Sequence, residues 1–116
     1  MRRFERLKKS KLIEELFKRG KAFSKPPLRA IWLEQPVDKG PAQVMFSVPK
    51  KIFKRAVDRN ILKRRMREAY RLYKHELYGQ LGEKRGLLAF VYVSKELSEF
   101  KVIDSAMADL IHRLGR

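Results

Sequence analysis

Residues 54–74, KRAVDRNILKRRMREAYRLYK, constrain the fold more than any other stretch of the chain. At about 100° per residue, an α-helix would separate the apolar side chains of this stretch from most of its cations. The apolar side holds Leu62, Met66, Ala69 and Tyr73, with Tyr70 and Leu77 at its edge. The opposite side, which we call the stripe, holds Asn60, Lys63, Arg64, Arg67, Arg71 and Lys74. The spacing predicts a long helix that packs on a sheet and presents the stripe to solvent.

The charge of the chain predicts a polyanionic partner. Its 116 residues suit one domain, and 29 Lys and Arg against 13 Asp and Glu give a formal net charge of +16. Such self-repulsion destabilises a compact state, so we expect a nucleic acid to offset it, with an anionic membrane surface as the alternative. The absence of cysteine excludes disulfides, and the chain has no apolar run long enough to span a membrane. We therefore expect a soluble, cytoplasmic protein.

The remaining patterns predict a single α+β domain over residues 1–116, with 1–9 as a flexible basic arm. A helix is expected between Ser10, as its N-cap, and Gly20. The long basic helix is expected to begin between Lys54 and Asp58 and to end near Tyr78. The apolar run 87–93 is typical of a central strand covered on both faces. Further strands are predicted at 20–24 (a weak signal), 28–33 and 42–48, and a last helix at 100–114.

Catalysis by the side chains of this chain is not expected. His75 and His112 lie far apart and form no metal-binding pattern. Asp58 and Glu68 lie among cations, and at helical spacing each is expected to form an ion pair, Glu68 with Arg64, Arg65 or Arg71. We predict no catalytic residue, no bound metal and no small-molecule substrate.

Phosphate binding is the function that the stripe favours over a merely solvated helix face. Like charges three or four residues apart repel each other, and the stripe contains no acid to offset them. Arginine grips phosphate bidentately, and further cations lie at 6–9 and 50–55. Trp32, Phe46 and Tyr92 could supply stacking surfaces, although core packing is the commoner role for each. Alternation places Phe46 and Met45 on opposite faces of their strand.

Residues 47–71, SVPKKIFKRAVDRNILKRRMREAYR, closely resemble the signature of the bacterial ribonuclease P protein subunit. The matching residues are Lys50, Lys51, Ala56, Val57, Arg59, Asn60, Lys63, Arg64, Arg67 and Glu68. Residues 6–23 and 90–100 resemble the first helix and last strand of that family. Two positions depart from it. Ile61 stands where a third basic residue is usual, with Arg65 one turn on as a possible compensation, and Ile13 replaces a frequent aromatic residue.

The resemblance implies an α-β sandwich in the order α-β-β-β-α-β-α, similar to the second domain of ribosomal protein S5, with a left-handed crossover. It implies that a catalytic RNA, with its Mg²⁺, cleaves precursor tRNA, while the protein binds that RNA and the 5′ leader. The RNA-subunit contacts would be Lys51, Lys54, Arg55, Arg59, Asn60, Lys63, Arg64, Arg67 and Arg71. The leader contacts, in a cleft between the sheet and the first helix, would be Lys9, Ile13, Phe17, Phe46, Lys50 and Lys95.

Two other functions remain as alternatives at this point. A basic ribosomal or other structural RNA-binding protein would have similar size and charge. A helix-turn-helix DNA-binding protein is disfavoured, because the stripe is too uniformly cationic to distinguish bases by their edges.

Overall fold

The structure, a computed structural model, describes residues 6–37 and 40–114. In this part of the chain, three helices and four strands follow the predicted α-β-β-β-α-β-α order. The elements are α1 (Ser10–Arg19), β1 (Lys21–Lys25), β2 (Leu28–Glu34), β3 (Ala42–Ser47), α2 (Ala56–Leu81), β4 (Gly86–Tyr92) and α3 (Phe100–Leu114). The weakly predicted first strand is therefore present, and α2 extends three residues beyond its expected end at Tyr78.

The strands form a sheet in the order β1-β2-β4-β3. β1 and β2 form an antiparallel hairpin, and β2 also pairs antiparallel with β4. β3 pairs parallel with β4, so α2 is the crossover that connects them. The interior position of β4 confirms the prediction made from its apolar run. The hand of the crossover stays a prediction from the resemblance.

The two faces of the sheet pack against different helices. On one face, Val44, Leu88 and Phe90 join a core with buried side chains of α2 and α3. On the other face, Ile31, Leu87 and Ala89 pack with Leu16 of α1. The α2 residues that are buried are Leu62, Met66, Ala69, Tyr70, Leu77 and Leu81. This set confirms the predicted apolar side of the long helix, which packs against the sheet and α3.

Tyr73 is the one member of the predicted apolar side that stays half-buried. Its hydroxyl donates a hydrogen bond to Asp104 Oδ2 of α3, at 3.1 Å. Burial, together with this hydrogen bond, raises the pKa of the Tyr73 hydroxyl above its usual value. The residue therefore joins α2 to α3 through a polar contact at the margin of the core.

The N-terminal segment differs from its prediction. Leu7 is buried, and its N–H donates to the Val44 carbonyl at the outer edge of β3, at 2.9 Å. Arg6 forms an isolated parallel bridge with Val44. A flexible arm over residues 1–9 is therefore wrong for residues 6 and 7, because Leu7 buries apolar surface, while 1–5 lie outside the described residues. Ser10 is also not the N-cap of α1: Lys9 takes that position, without a side-chain cap.

The end of α1 lies close against the sheet because Gly20 has no side chain. A Cβ built at this position would lie 2.4 Å from the Leu16 carbonyl oxygen and 2.6 Å from Ile31 Cγ2. Any larger residue would therefore force α1 and β2 apart. The glycine that ends the helix also sets how closely α1 covers the sheet.

Candidate RNA interface

The stripe of α2 faces solvent as predicted. Asn60, Arg64, Arg67 and Arg71 are exposed, and Lys63 and Lys74 are half-buried. Arg71 Nη2 donates to Glu68 Oε2 at 3.0 Å, which confirms the ion pair expected of Glu68. These two side chains are 63% and 53% exposed, so their pairing contributes little to stability. A phosphate group can displace Glu68 from Arg71 at small cost.

Arg59 is oriented differently from the stripe. Its guanidinium Nη1 donates to the main-chain carbonyls of Phe53 and Lys54, at 2.8 and 2.9 Å. Phe53 is itself buried, with its ring edge-on to Tyr92 at 5.6 Å between centroids. Arg59 therefore ties α2 to residues 49–55, which we call the basic loop. This loop carries four exposed cations, Lys50, Lys51, Lys54 and Arg55.

We expect Arg59→Ala to destabilise the domain by about 2 kcal/mol, because two carbonyls lose charged hydrogen-bond donors. The basic loop should also become less protected in hydrogen exchange at Ile52 and Phe53, whose N–H groups bond to the Pro49 carbonyl. Arg64→Ala is the matched control on the same helix. Because Arg64 is exposed, its loss should change the free energy of unfolding by less than about 0.5 kcal/mol. Equal stability of the two variants would contradict this role for Arg59.

Side-chain hydrogen bonds to main-chain groups also hold the loop after β4, residues 93–99. Arg65 Nη1 donates to the Ser98 carbonyl at 2.5 Å. The buried Tyr92 hydroxyl accepts the Ser98 N–H at 3.0 Å and donates to the Glu96 carbonyl. Arg65 therefore binds this loop. It does not replace the third basic residue that the family usually has at the position of Ile61. Tyr92 packs in the core and is not a stacking surface.

Both loops lie at one end of the sheet. β3 and β4 are parallel, so both strands end at the same end of the sheet. The basic loop follows β3, and residues 93–99 follow β4. Lys50 and Lys95, which are exposed, are therefore brought to the same end of the domain, as their predicted common role requires.

The sheet face that carries α1 is only partly covered. Ile31 and Ala89, which are register partners, lie buried in the α1 core. The next row toward the loop end has more exposed side chains. This row, which we call the open row, consists of Ser24, Arg29, Val91 and Ser47, paired in register across all four strands. Arg29 is exposed, and Val91 and Ser47 are half-buried.

One flank of α1 carries three of the residues predicted to contact the leader. Lys9, Ile13 and Phe17 are spaced by four residues and so share a flank. Arg19, on the other flank, lines a hollow with Leu33 and Glu34 at the opposite end of β2. Ile13, on the flank of Phe17, packs against the same α1 core as Val91 of the open row, so we place the predicted cleft between this flank and that row. Phe17 is 47% exposed, which excludes a core-packing role, while Ile13 is half-buried against the α1 core.

Phe46 does not lie in this cleft, so the sequence prediction that grouped it with Ile13 and Phe17 is wrong. Its ring packs on the α2 face, with centroids 5.8 Å from Tyr70 and 5.8 Å from Phe90. Met45 faces α1 instead. Alternation along a strand predicts that Met45 and Phe46 lie on opposite faces of the sheet, but it does not predict which of them faces α1.

The cleft also contains a cation that the sequence prediction missed. Arg29 stands between the buried Leu28 and Ala30 in β2, and this alternation was a usable signal that it points to the less covered face. Its Nε donates to Ser24 Oγ at 3.3 Å within the open row.

Two features are not found within residues 6–37 and 40–114. No group of three or more His, Cys, Asp or Glu side chains in those ranges could hold a metal ion. None of the helices described there is long and apolar enough to cross a membrane. The two histidines are separate: His112 Nδ1 lies 3.7 Å from Glu76 Oε1, and the His75 ring packs on Tyr78.

The fold and these surfaces define a class, that of small basic α+β proteins whose exposed cations suit a polyanion. The sequence matches the family described as Ribonuclease P over residues 1–115. The chain belongs to this family. It is a protein component of ribonuclease P and acts in tRNA processing as a subunit of that holoenzyme.

Similar proteins agree with this assignment. The ribonuclease P protein component of Porphyromonas gingivalis is 40% identical over 114 residues, covering 96% of this chain and 83% of the relative. That of Chlorobium phaeobacteroides is 35% identical over 127 residues, covering 98% and 87%. The RNase P protein of Staphylococcus aureus superposes with a TM-score of 0.75 at 17% identity, covering 97% and 95%. That of Thermotoga maritima gives 0.74 at 22% identity, covering 94% and 96%. The two structures show the same fold.

Proposed function

We propose that the stripe and the basic loop bind the RNA subunit of ribonuclease P. Exposed arginine and lysine side chains on a rigid helix bind phosphates without reading sequence. Arg59 contributes by fixing the basic loop, and Lys51, Lys54 and Arg55 then extend the cationic surface beyond the start of α2. Lys63, Arg64, Arg67 and Arg71 continue it along the helix, and Asn60 adds a neutral hydrogen-bonding group.

The cleft beside α1 binds the 5′ leader of precursor tRNA in this proposal. A single strand needs a positive groove with apolar or aromatic platforms rather than contacts to base edges. Phe17 and Ile13 form the wall, and Met45 and Val91 belong to the same sheet face. The cations at its margins are Lys9, Arg29, Lys50 and Lys95.

Cleavage itself is assigned to the RNA subunit, with Mg²⁺ held there and not by this chain. The observation that carries the proposal is the separation of two surfaces on opposite sides of one sheet. The stripe lies on the outer side of α2, and the cleft lies on the α1 face. One small domain can therefore contact the RNA subunit and the leader together, within the cytoplasm where tRNA matures.

Reconstitution tests this division of labour. The purified chain with Mg²⁺ should leave precursor tRNA intact, because the proposal assigns cleavage to the RNA subunit. Added to a bacterial ribonuclease P RNA at low Mg²⁺, it should raise kcat/KM for cleavage roughly fivefold or more. This factor corresponds to the free energy of about 1 kcal/mol that stacking of one leader base contributes. A precursor with a one-nucleotide leader should gain less. Cleavage by the chain alone would contradict the proposal.

A further inference from the structure

A second groove lies at the outer edge of β3. It has a volume of about 350 Å³ and is lined by Arg6, Leu7, Val44, Met45, Phe46, Lys63 and Arg67. Three of these residues are cations, and none of the described residues that line the groove is acidic. Lys63 and Arg67 belong to the stripe, so this groove adjoins the surface proposed to bind the RNA subunit.

Phe46 presents one side of its ring to this groove. The ring is nearly parallel to that of Phe90, at 14° between planes, and the two residues are register partners on β3 and β4. β3 is an edge strand of the sheet, and among the described residues the contacts on its outer side are those of Arg6 and Leu7 with Val44, two residues before Phe46. Phe46 is half-buried and lines the groove. The side of the Phe46 ring that faces away from Phe90 is therefore open to a further ring.

The cations beside this place continue along α2. Lys63 and Arg67 are one turn apart, about 6 Å along the helix axis. Arg67 also lines a small adjoining hollow with Tyr70, Arg71 and Lys74. Such spacing matches successive phosphates of a single RNA strand. An aromatic platform flanked by cations is the arrangement that single-stranded nucleic acids require.

We propose that this groove binds an unpaired nucleotide of the RNA subunit, with its base stacked on Phe46 and its neighbouring phosphates on Lys63 and Arg67. The inference rests on the proposed function of the stripe and adds a base-stacking site to it. The groove wraps around the edge of β3, with Phe46, Lys63 and Arg67 on the α2 side and Leu7 and Met45 on the α1 side. The RNA subunit is the favoured occupant because Lys63 and Arg67, which flank Phe46, belong to the stripe. Arg6, held by its bridge to Val44, closes the outer wall.

The test compares Phe46→Leu with Phe46→Tyr. Leucine retains apolar packing against Tyr70 and Phe90, whereas tyrosine also retains the ring. We expect Phe46→Leu to weaken binding of bacterial ribonuclease P RNA roughly fivefold or more, and Phe46→Tyr to retain most of the affinity. The salt dependence should separate stacking from charge. Phe46→Leu should leave the log–log slope unchanged, whereas Lys63→Ala should flatten it by about 0.7 to 0.9.

Phe23→Leu is the matched control. Phe23 is also half-buried against the α2 and α3 core, but it lies on β1 at the opposite edge of the sheet. Its loss should leave RNA affinity unchanged. Ultraviolet cross-linking of the holoenzyme with bound precursor tRNA should join the Phe46 peptide to an unpaired nucleotide of the RNA subunit.

Three outcomes would overturn the proposal. These are equal affinities for Phe46→Leu and wild type, equal losses for Phe46→Leu and Phe23→Leu, and a cross-link to the tRNA leader. Failure of the wild-type chain to bind the RNA subunit would instead contradict the proposed function.

Discussion

Replacing Lys63, Arg64 and Arg67 together by alanine is expected to weaken binding of the RNA subunit about a hundredfold or more. Each phosphate contact contributes about 0.7 to 0.9 to the log–log salt slope, so three contacts near 0.1 M salt amount to about two orders of magnitude. The slope itself should fall by about 2 to 3. The measurement is a titration of labelled RNA subunit with each protein at several salt concentrations.

A charge-matched control separates contacts from net charge. Lys21, Lys84 and Lys101 are exposed and lie outside the stripe, on β1, on the loop after α2 and on α3. The variant with alanine at all three has the same net charge as the stripe variant. It should lose far less affinity. If both variants weakened binding equally, the overall charge of the chain would explain assembly and the stripe would have no specific role.

Phe17→Ala is expected to weaken binding of precursor tRNA to the holoenzyme roughly fivefold or more, and up to about a hundredfold. Stacking of a base on an aromatic ring contributes about 1–3 kcal/mol. Phe17 is 47% exposed, so its removal should leave the fold intact. The loss should appear only with a long leader, and binding of mature tRNA should stay nearly unchanged. The measurement is the Kd of the reconstituted holoenzyme for each RNA.

Leu72→Ala provides the control for loss of exposed apolar surface. Leu72 is 59% exposed on α2, away from the α1 face, and its removal should not affect precursor tRNA. Val91→Ala should give a smaller, leader-dependent loss, because Val91 belongs to the open row. A Phe17→Ala effect that persisted with a one-nucleotide leader would place Phe17 outside the leader cleft.

The sequence by itself determined the elements and the chemistry of the long helix. Periodicity is a local property, so the apolar and cationic sides of α2, the strand at 87–93 and the last helix could be predicted from spacing alone. The ion pair of Glu68 followed from the same local geometry. The family followed from a long signature, and with it the order of the elements.

Only the tertiary structure decided which sheet face each strand residue takes and which cations are free to bind RNA. Phe46 and Met45 alternate, but the choice of face depends on where α1 and α2 pack. Arg59 and Arg64 match the same signature, yet Arg59 bonds the Phe53 and Lys54 carbonyls while Arg64 is exposed. Arg65 similarly bonds Ser98, 33 residues away. Sequence patterns encode spacing along the chain. The Arg59 bonds depend on how the basic loop folds back on the start of α2, and the Arg65 bond depends on a loop that the packed sheet brings beside α2.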